Sequence, residues 1–272
     1  MFRVPQARYV AAMFASATPI CRHSLSPTQR YVERLYLSFT PVWMAIIGYC
    51  MLTHCFARWG DVGHMLLGLA LSLPLWLAPL VQPPADEVGQ PVWERHTTKA
   101  NLFIALMSFV QCYFGSAMFF DGLGMEYHFP TQLLWNRTPL FLYFVTVAYF
   151  STYYALMRLG LRLFLRWVPQ ASPTLVWLAI AVLSYTMAFG ETFFMASESL
   201  RAFFSYANRH KALLIGSLCY GTLFFVTLPV FLRLDEEPRV PTPISRLFWQ
   251  TMGANMVSLC AYEAYKVLLP LC

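Results

Sequence analysis

Ser184, Glu191 and Glu198 are spaced by seven in the stretch SYTMAFGETFFMASE. Seven residues make nearly two helical turns, so the three share one helix face, with steps of roughly 10.5 Å along the axis. The stretch is otherwise apolar and of membrane-spanning length. An ionisable side chain in such a segment is costly and therefore points to function. A carboxyl in low-dielectric surroundings favours its neutral form and keeps a proton to give, which is the chemistry of a general acid. The alternative is a packing carboxyl that hydrogen-bonds a neighbouring helix.

A second polar stripe, Asn101, Ser108, Gln111 and Gly115, has offsets of seven, three and four, again one helix face. It reads either as a substrate-contacting face or as the small and amide residues that join transmembrane helices. The loop DGLGMEYHFP then places Asp121, Glu126, Tyr127 and His128 close together. With alternating spans, this loop and the Glu198 end face the same side, so acid, phenol and imidazole can meet over one mouth of a bundle. The candidate catalytic residues are thus Glu191, Glu198 and Asp121. The candidate substrate contacts are Asn101, Ser108, Gln111, Tyr127, His128 and Ser184. Glu263 and Lys266, three apart, read as a simple ion pair.

These residues need apolar helices to position them. Of the 272 residues, 58% are hydrophobic and 12% charged, against about 25% charged in an ordinary soluble domain. The apolar residues fall in blocks near the ~20 residues that cross a bilayer. The expected spans are 35–57, 62–81, 99–120, 139–161, 174–197, 212–232 and 247–269, the last being the least apolar. The fold class is therefore all-α, a polytopic bundle of about seven transmembrane helices, with a basic tail over 1–30 and one domain over 31–272. The formal charge of +6 is spread between the blocks, as in membrane-protein loops, so nucleic acid is not an expected partner. Arg and Lys favour the N-terminal side and place the N-terminus in the cytoplasm. The acid-free stretch before Pro27 also has the composition of a transit peptide.

Several chemistries are excluded by missing motifs. There is no GxxxxGK, GxGxxG, HExxH or GxSxG. The six histidines are scattered singly, without the clustering that holds iron, and the seven cysteines lack CxxC spacing. No metal or cofactor is expected. Tyr143, Phe144, Tyr149, Phe150, Tyr153 and Tyr154 crowd one span. They read as packing, or as the lining of a pocket for a flat apolar ligand whose positive charge their faces stabilise. Asn136-Arg137-Thr138 matches a glycosylation sequon next to the membrane.

The segments ERHTTKANLFIALMSFVQCYF and FFDGLGMEYHFP, with SFTPVW, LSYTMAFGET and LPVFLRLDE in collinear order, resemble the cycloeucalenol cycloisomerases. That resemblance implies a membrane enzyme of sterol biosynthesis, in the endoplasmic reticulum, that opens the 9β,19-cyclopropane ring of a 4α-methyl sterol to an 8-ene. An acid protonates the cyclopropane carbon, positive charge develops near C9, and a base removes the C8 proton. Glu191 occupies the family's Glu-Thr position and is the leading acid. Lys99, Asn101, Tyr127, Arg233 and Asp235 also match motif positions. Ala117, Val147 and Tyr154 stand where the resemblance implies polar groups or histidine. A sterol-binding membrane protein without turnover is the alternative.

Overall fold

A computed structural model describes residues 25–236 and 240–269. Residues 1–24 lie outside it, and with them most of the expected tail and its transit-peptide reading. Among the described residues seven long helices form the bundle: α1 (Pro27–Leu52), α2 (Asp61–Val81), α3 (His96–Gly122), α4 (Leu140–Trp167), α5 (Pro173–Met195), α6 (Arg209–Leu232) and α7 (Ile244–Leu268). The first six are long and apolar enough to cross a membrane. The seventh span is present as a helix, packed on α6 and α3, but falls short of the others in hydropathy.

Local chemistry sets the helix starts. Ser26 caps α1 by accepting from the Gln29 amide at 3.1 Å, and the Gln29 side chain accepts from the Ser26 amide at 3.1 Å, a reciprocal capping box followed by Pro27. The expected tail therefore ends before residue 30, because Pro27 already opens α1. Ser172 caps α5 by accepting from the Leu175 amide at 3.3 Å, again followed by a proline, Pro173.

α4 lies at the centre, packed by α2, α1, α3 and α5. Its buried side includes Tyr154 and Phe150, which meet Phe103 of α3 and Phe224 and Phe231 of α6. α5 shows the two-sidedness of a peripheral span: Leu178, Val182, Tyr185 and Phe189 face outward, while Ile180, Ser184, Ala188 and Glu191 are buried.

Among the described residues three π turns interrupt the helices, at Gln111–Gly115 and Met118–Gly122 in α3 and Ala212–Gly216 in α6. Such turns recur at functional sites because they re-aim side chains within a continuous helix. At the same end of the bundle two short strands, β1 (Met125–Tyr127) and β4 (Phe204–Tyr206), pair antiparallel with Met125 opposite Tyr206. Gly124 permits this through φ +57°, and a Cβ there would stand 2.6 Å from the Ala207 side chain. Between them, β2 (Leu134–Trp135) and β3 (Thr138–Pro139) form a hairpin. Its two turn residues, Asn136 and Arg137, both have positive φ, as a two-residue hairpin turn demands. The Asn136 amide donates to the Tyr113 carbonyl.

Candidate active site

The two π turns of α3 and the strand cap border a cavity with about 1180 Å³ of empty space, its open mouth included. α1 contributes Trp43, Ile47 and Met51; α3 contributes Gln111, Cys112, Gly115, Ser116 and Phe119. One stripe of α4 supplies Leu142, Val145, Thr146, Tyr149, Phe150 and Tyr153, while α5 gives Glu191, Phe194 and Met195 and α6 gives Tyr220. Met125, Tyr127, Phe129, Leu200, Phe203, Phe204 and Tyr206 close the loop end.

Among the described lining residues, Glu191 is the one acid or base outside the phenols and the thiol. It is 7% exposed, and its Oε2 is buried with no hydrogen-bond partner among the described residues. The Tyr220 phenol of α6 lies beside the same carboxyl in the cavity wall. Arg209 fixes the end of α5 by donating from Nε to the Ala196 carbonyl at 2.8 Å, with its guanidinium 5.7 Å from the Phe193 ring.

A hydroxyl chain lies on the α3–α4 wall. Thr146 Oγ1 donates to the Leu142 carbonyl at 2.6 Å. Its single proton is thereby committed, so at 2.9 Å it accepts from the Tyr149 phenol and at 3.2 Å from the Cys112 thiol. Tyr149 consequently turns oxygen lone pairs and a ring face to the cavity, not its proton. Beside it, Gln111 donates from Nε2 to Asn255 Oδ1 at 2.7 Å. A Cβ at Gly115 would collide with Gln111 Oε1, so glycine makes room for that amide.

In the cap, burial pushes the Tyr127 phenol well above its ordinary pKa, with nearby Cys112, tyrosines and Glu191 adding to the shift. Burial also raises Tyr206, with Glu191 as the second cause. Both phenols are neutral over the physiological range. The site thus joins one buried carboxyl, several neutral phenols and electron-rich ring faces in a largely apolar wall. It can give a proton to carbon and stabilise the cation that results.

Three expected site residues meet here: Glu191, Gln111 and Tyr127. The others do not line the cavity. Glu198 lies beyond the end of α5 at Met195, in an exposed turn 3.4 Å from Arg201, so the seven-residue spacing fails where the helix stops. Asp121 is exposed and paired with Arg137 at 2.9 Å. His128 is exposed and bonds Ser205 at 2.8 Å. Asn101 bonds Tyr36 and the Leu75 carbonyl, each at 2.8 Å. Ser108 donates to the Ile104 carbonyl of its own helix, and Ser184 is buried in the core. Lys99 and Asp235 form an ion pair away from the cavity, and His96 joins it at 3.0 Å. The Glu263–Lys266 pair forms at 2.7 Å.

Tyr206, Tyr220, Thr146 and Cys112 are site residues that the sequence reading missed. Thr146 carried a signal, since 142, 145, 146, 149, 150 and 153 form one helical stripe. Tyr206 reaches the cavity through strand pairing and Tyr220 through the packing of α6 on α5, which the sequence pattern does not display.

No family model matches the chain, and no solved structure does. Cycloeucalenol cycloisomerase of Arabidopsis thaliana is 26% identical over 262 residues, covering 94% of this chain and 92% of that protein. Together with the bundle of membrane-length helices, this alignment makes the chain similar along nearly its whole length to that plant protein.

Proposed function

We propose that this chain is a membrane sterol isomerase that opens the 9β,19-cyclopropane ring of a 4α-methyl sterol. The observation that carries the reading is the Glu191 carboxyl, buried in an aromatic cavity formed by membrane helices. The name of the full-length relative supports the substrate class.

In this scheme the Glu191 O–H bond breaks as a C19–H bond forms, and the C9–C19 ring bond supplies the electron pair. Positive charge at C9 faces the carboxylate left behind and the rings of Tyr149 and Tyr153. Loss of the C8 proton to the protein then makes the C8=C9 double bond. Protons and electrons balance within the substrate and one returning proton, so the step draws on no redox group. General acid catalysis of this kind is worth about 10²–10⁴ in rate. Ala117, Val147 and Tyr154, where the resemblance implies polar groups, are absent from the described lining of the cavity. Tyr154 bonds Thr227 at 2.5 Å within the core. Departure at these positions removes nothing from the cavity wall, which supports turnover over mere binding. We place the enzyme in the endoplasmic reticulum membrane with a cytoplasmic N-terminus.

The test is conversion of a 9β,19-cyclopropyl sterol by purified protein or microsomes without nucleotide, metal or oxygen. An unchanged sterol in the presence of folded protein defeats the proposal.

A further inference from the structure

Two walls of the cavity do not close on each other. α1 and α5 both pack along α4, yet have almost no contact with one another. The cavity lies in that gap, walled by Trp43, Ile47 and Met51 on one side and by Glu191, Phe194 and Met195 on the other. Phe194 is cavity wall and outer surface at once, being 52% exposed. Val42 and Met44 of α1 and Phe189 and Phe193 of α5 are exposed apolar side chains of the two spans, with Arg209 over the Phe193 ring near the end of α5. By length and composition these helices belong in hydrocarbon, so the gap faces lipid.

The loop end is built differently. Phe129 stacks on Phe203 at 5.6 Å and meets Phe204 edge-on at 5.3 Å. Phe56 meets Phe203 at 5.3 Å, and Tyr127 meets Phe204 at 5.3 Å. The β1–β4 pairing holds these rings in place. This is a packed aromatic plug between the cavity and the aqueous side.

We infer that the cavity exchanges its ligand sideways with the membrane, through a portal between α1 and α5 with Phe194 at its mouth, and not through the loop cap. This rests on the sterol reading above. A fused-ring lipid alcohol then moves from leaflet to cavity without exposing its hydrocarbon to water. The portal also places an arriving ring system beside Glu191, three residues before Phe194 and therefore on a neighbouring strip of α5.

The test uses the full chain in liposomes containing a diazirine sterol, photolysed and mapped by mass spectrometry, with and without excess unlabelled cyclopropyl sterol. The expected result is adducts on Trp43, Met51, Phe194 and Met195, together with adducts inside the cavity, all reduced by the competitor. In stopped-flow exchange, Phe194→Ala should speed uptake and release together, several-fold. A lost binding contact alone would change release only. Competed adducts in the cavity and on the 125–129 and 200–206 segments, with the α1–α5 rim bare, overturn the portal and leave the sterol reading standing. Acceleration of both rates by Phe204→Ala instead of Phe194→Ala does the same. Absence of competed adducts anywhere in the cavity defeats the sterol reading, and the portal with it.

Discussion

Asn101 Nδ2 lies 2.8 Å from the carbonyl of Leu75, four residues before Pro79 in α2. A proline has no amide hydrogen to offer the carbonyl four residues earlier. Inside a membrane no water replaces that donor. Asn101 supplies it from α3, and its Oδ1 accepts from the Tyr36 phenol of α1 at 2.8 Å. One amide thus ties three helices at the place where the backbone ladder of α2 lacks a donor.

This gives a conditional prediction. Asn101→Leu should destabilise the fold by about 1–3 kcal/mol, the cost of an unsatisfied buried polar group. In a Pro79→Ala background the Leu75 carbonyl regains a helical donor, so the same change should cost less. Thermal unfolding of the four proteins in detergent gives the coupling energy. Equal losses in both backgrounds would show that Asn101 does not act through the proline gap.

Lys99 and Asp235 join the start of α3 to the segment after α6, 3.0 Å apart, with Lys99 2% exposed. Lys99→Met removes one partner of Asp235 while His96 and the Thr242 amide remain, so it should lower the unfolding temperature at a cost of about 1–3 kcal/mol. Burial raises the Asp235 pKa, but His96, the Thr242 amide and Lys99 outweigh it and hold the carboxyl below its ordinary value. The sign follows: the contribution is complete above the unfolded pKa of about 3.9 and disappears as pH falls through the lower folded value. Asp235→Asn should therefore flatten the acid limb of stability below about pH 4. An unchanged acid limb would count against it.

Asn101, Lys99 and Asp235 show where the sequence reading reached its limit. The apolar blocks gave the helices closely, because length and hydropathy are local properties. Glu191 was legible for a related reason: a carboxyl in an apolar block has few places to go. The stripe of Asn101, Ser108, Gln111 and Gly115 was also legible as a face, but only Gln111 and Gly115 lie where the π turn meets the cavity. Whether a buried amide serves a ligand or a broken neighbour depends on which helix packs there. Glu198 and Asp121 were misplaced because helix ends and hairpin turns decide where loop charges go.

The hydroxyl chain from Cys112 through Thr146 to Tyr149 predicts that two residues act as one. Thr146→Val deletes the acceptor that holds the Tyr149 proton, so the phenol is free to turn that proton toward the cavity. Tyr149→Phe removes the oxygen outright. Each should slow cyclopropyl sterol conversion by roughly 5–10-fold, on the order of one hydrogen bond. The double variant should be no slower than the worse single one. Multiplicative losses would mean that Thr146 does not position Tyr149.

The sharpest contrast lies among the three acids that the sequence placed together. Glu191 is buried in the cavity, whereas Asp121 and Glu198 are exposed and paired with Arg137 and Arg201. Exposed pairs of this kind are worth at most about 1 kcal/mol. Asp121→Asn and Glu198→Gln should therefore leave both folding and sterol conversion within about fivefold of the parent. Glu191→Gln keeps the shape and loses the transferable proton, so conversion should fall by about 10²–10⁴, while binding of the cyclopropyl sterol persists. Parallel rate and binding measurements on the three variants decide the matter. Near-normal rates for Glu191→Gln would remove it from the mechanism, and a large loss in Asp121→Asn would move the chemistry to the loop end.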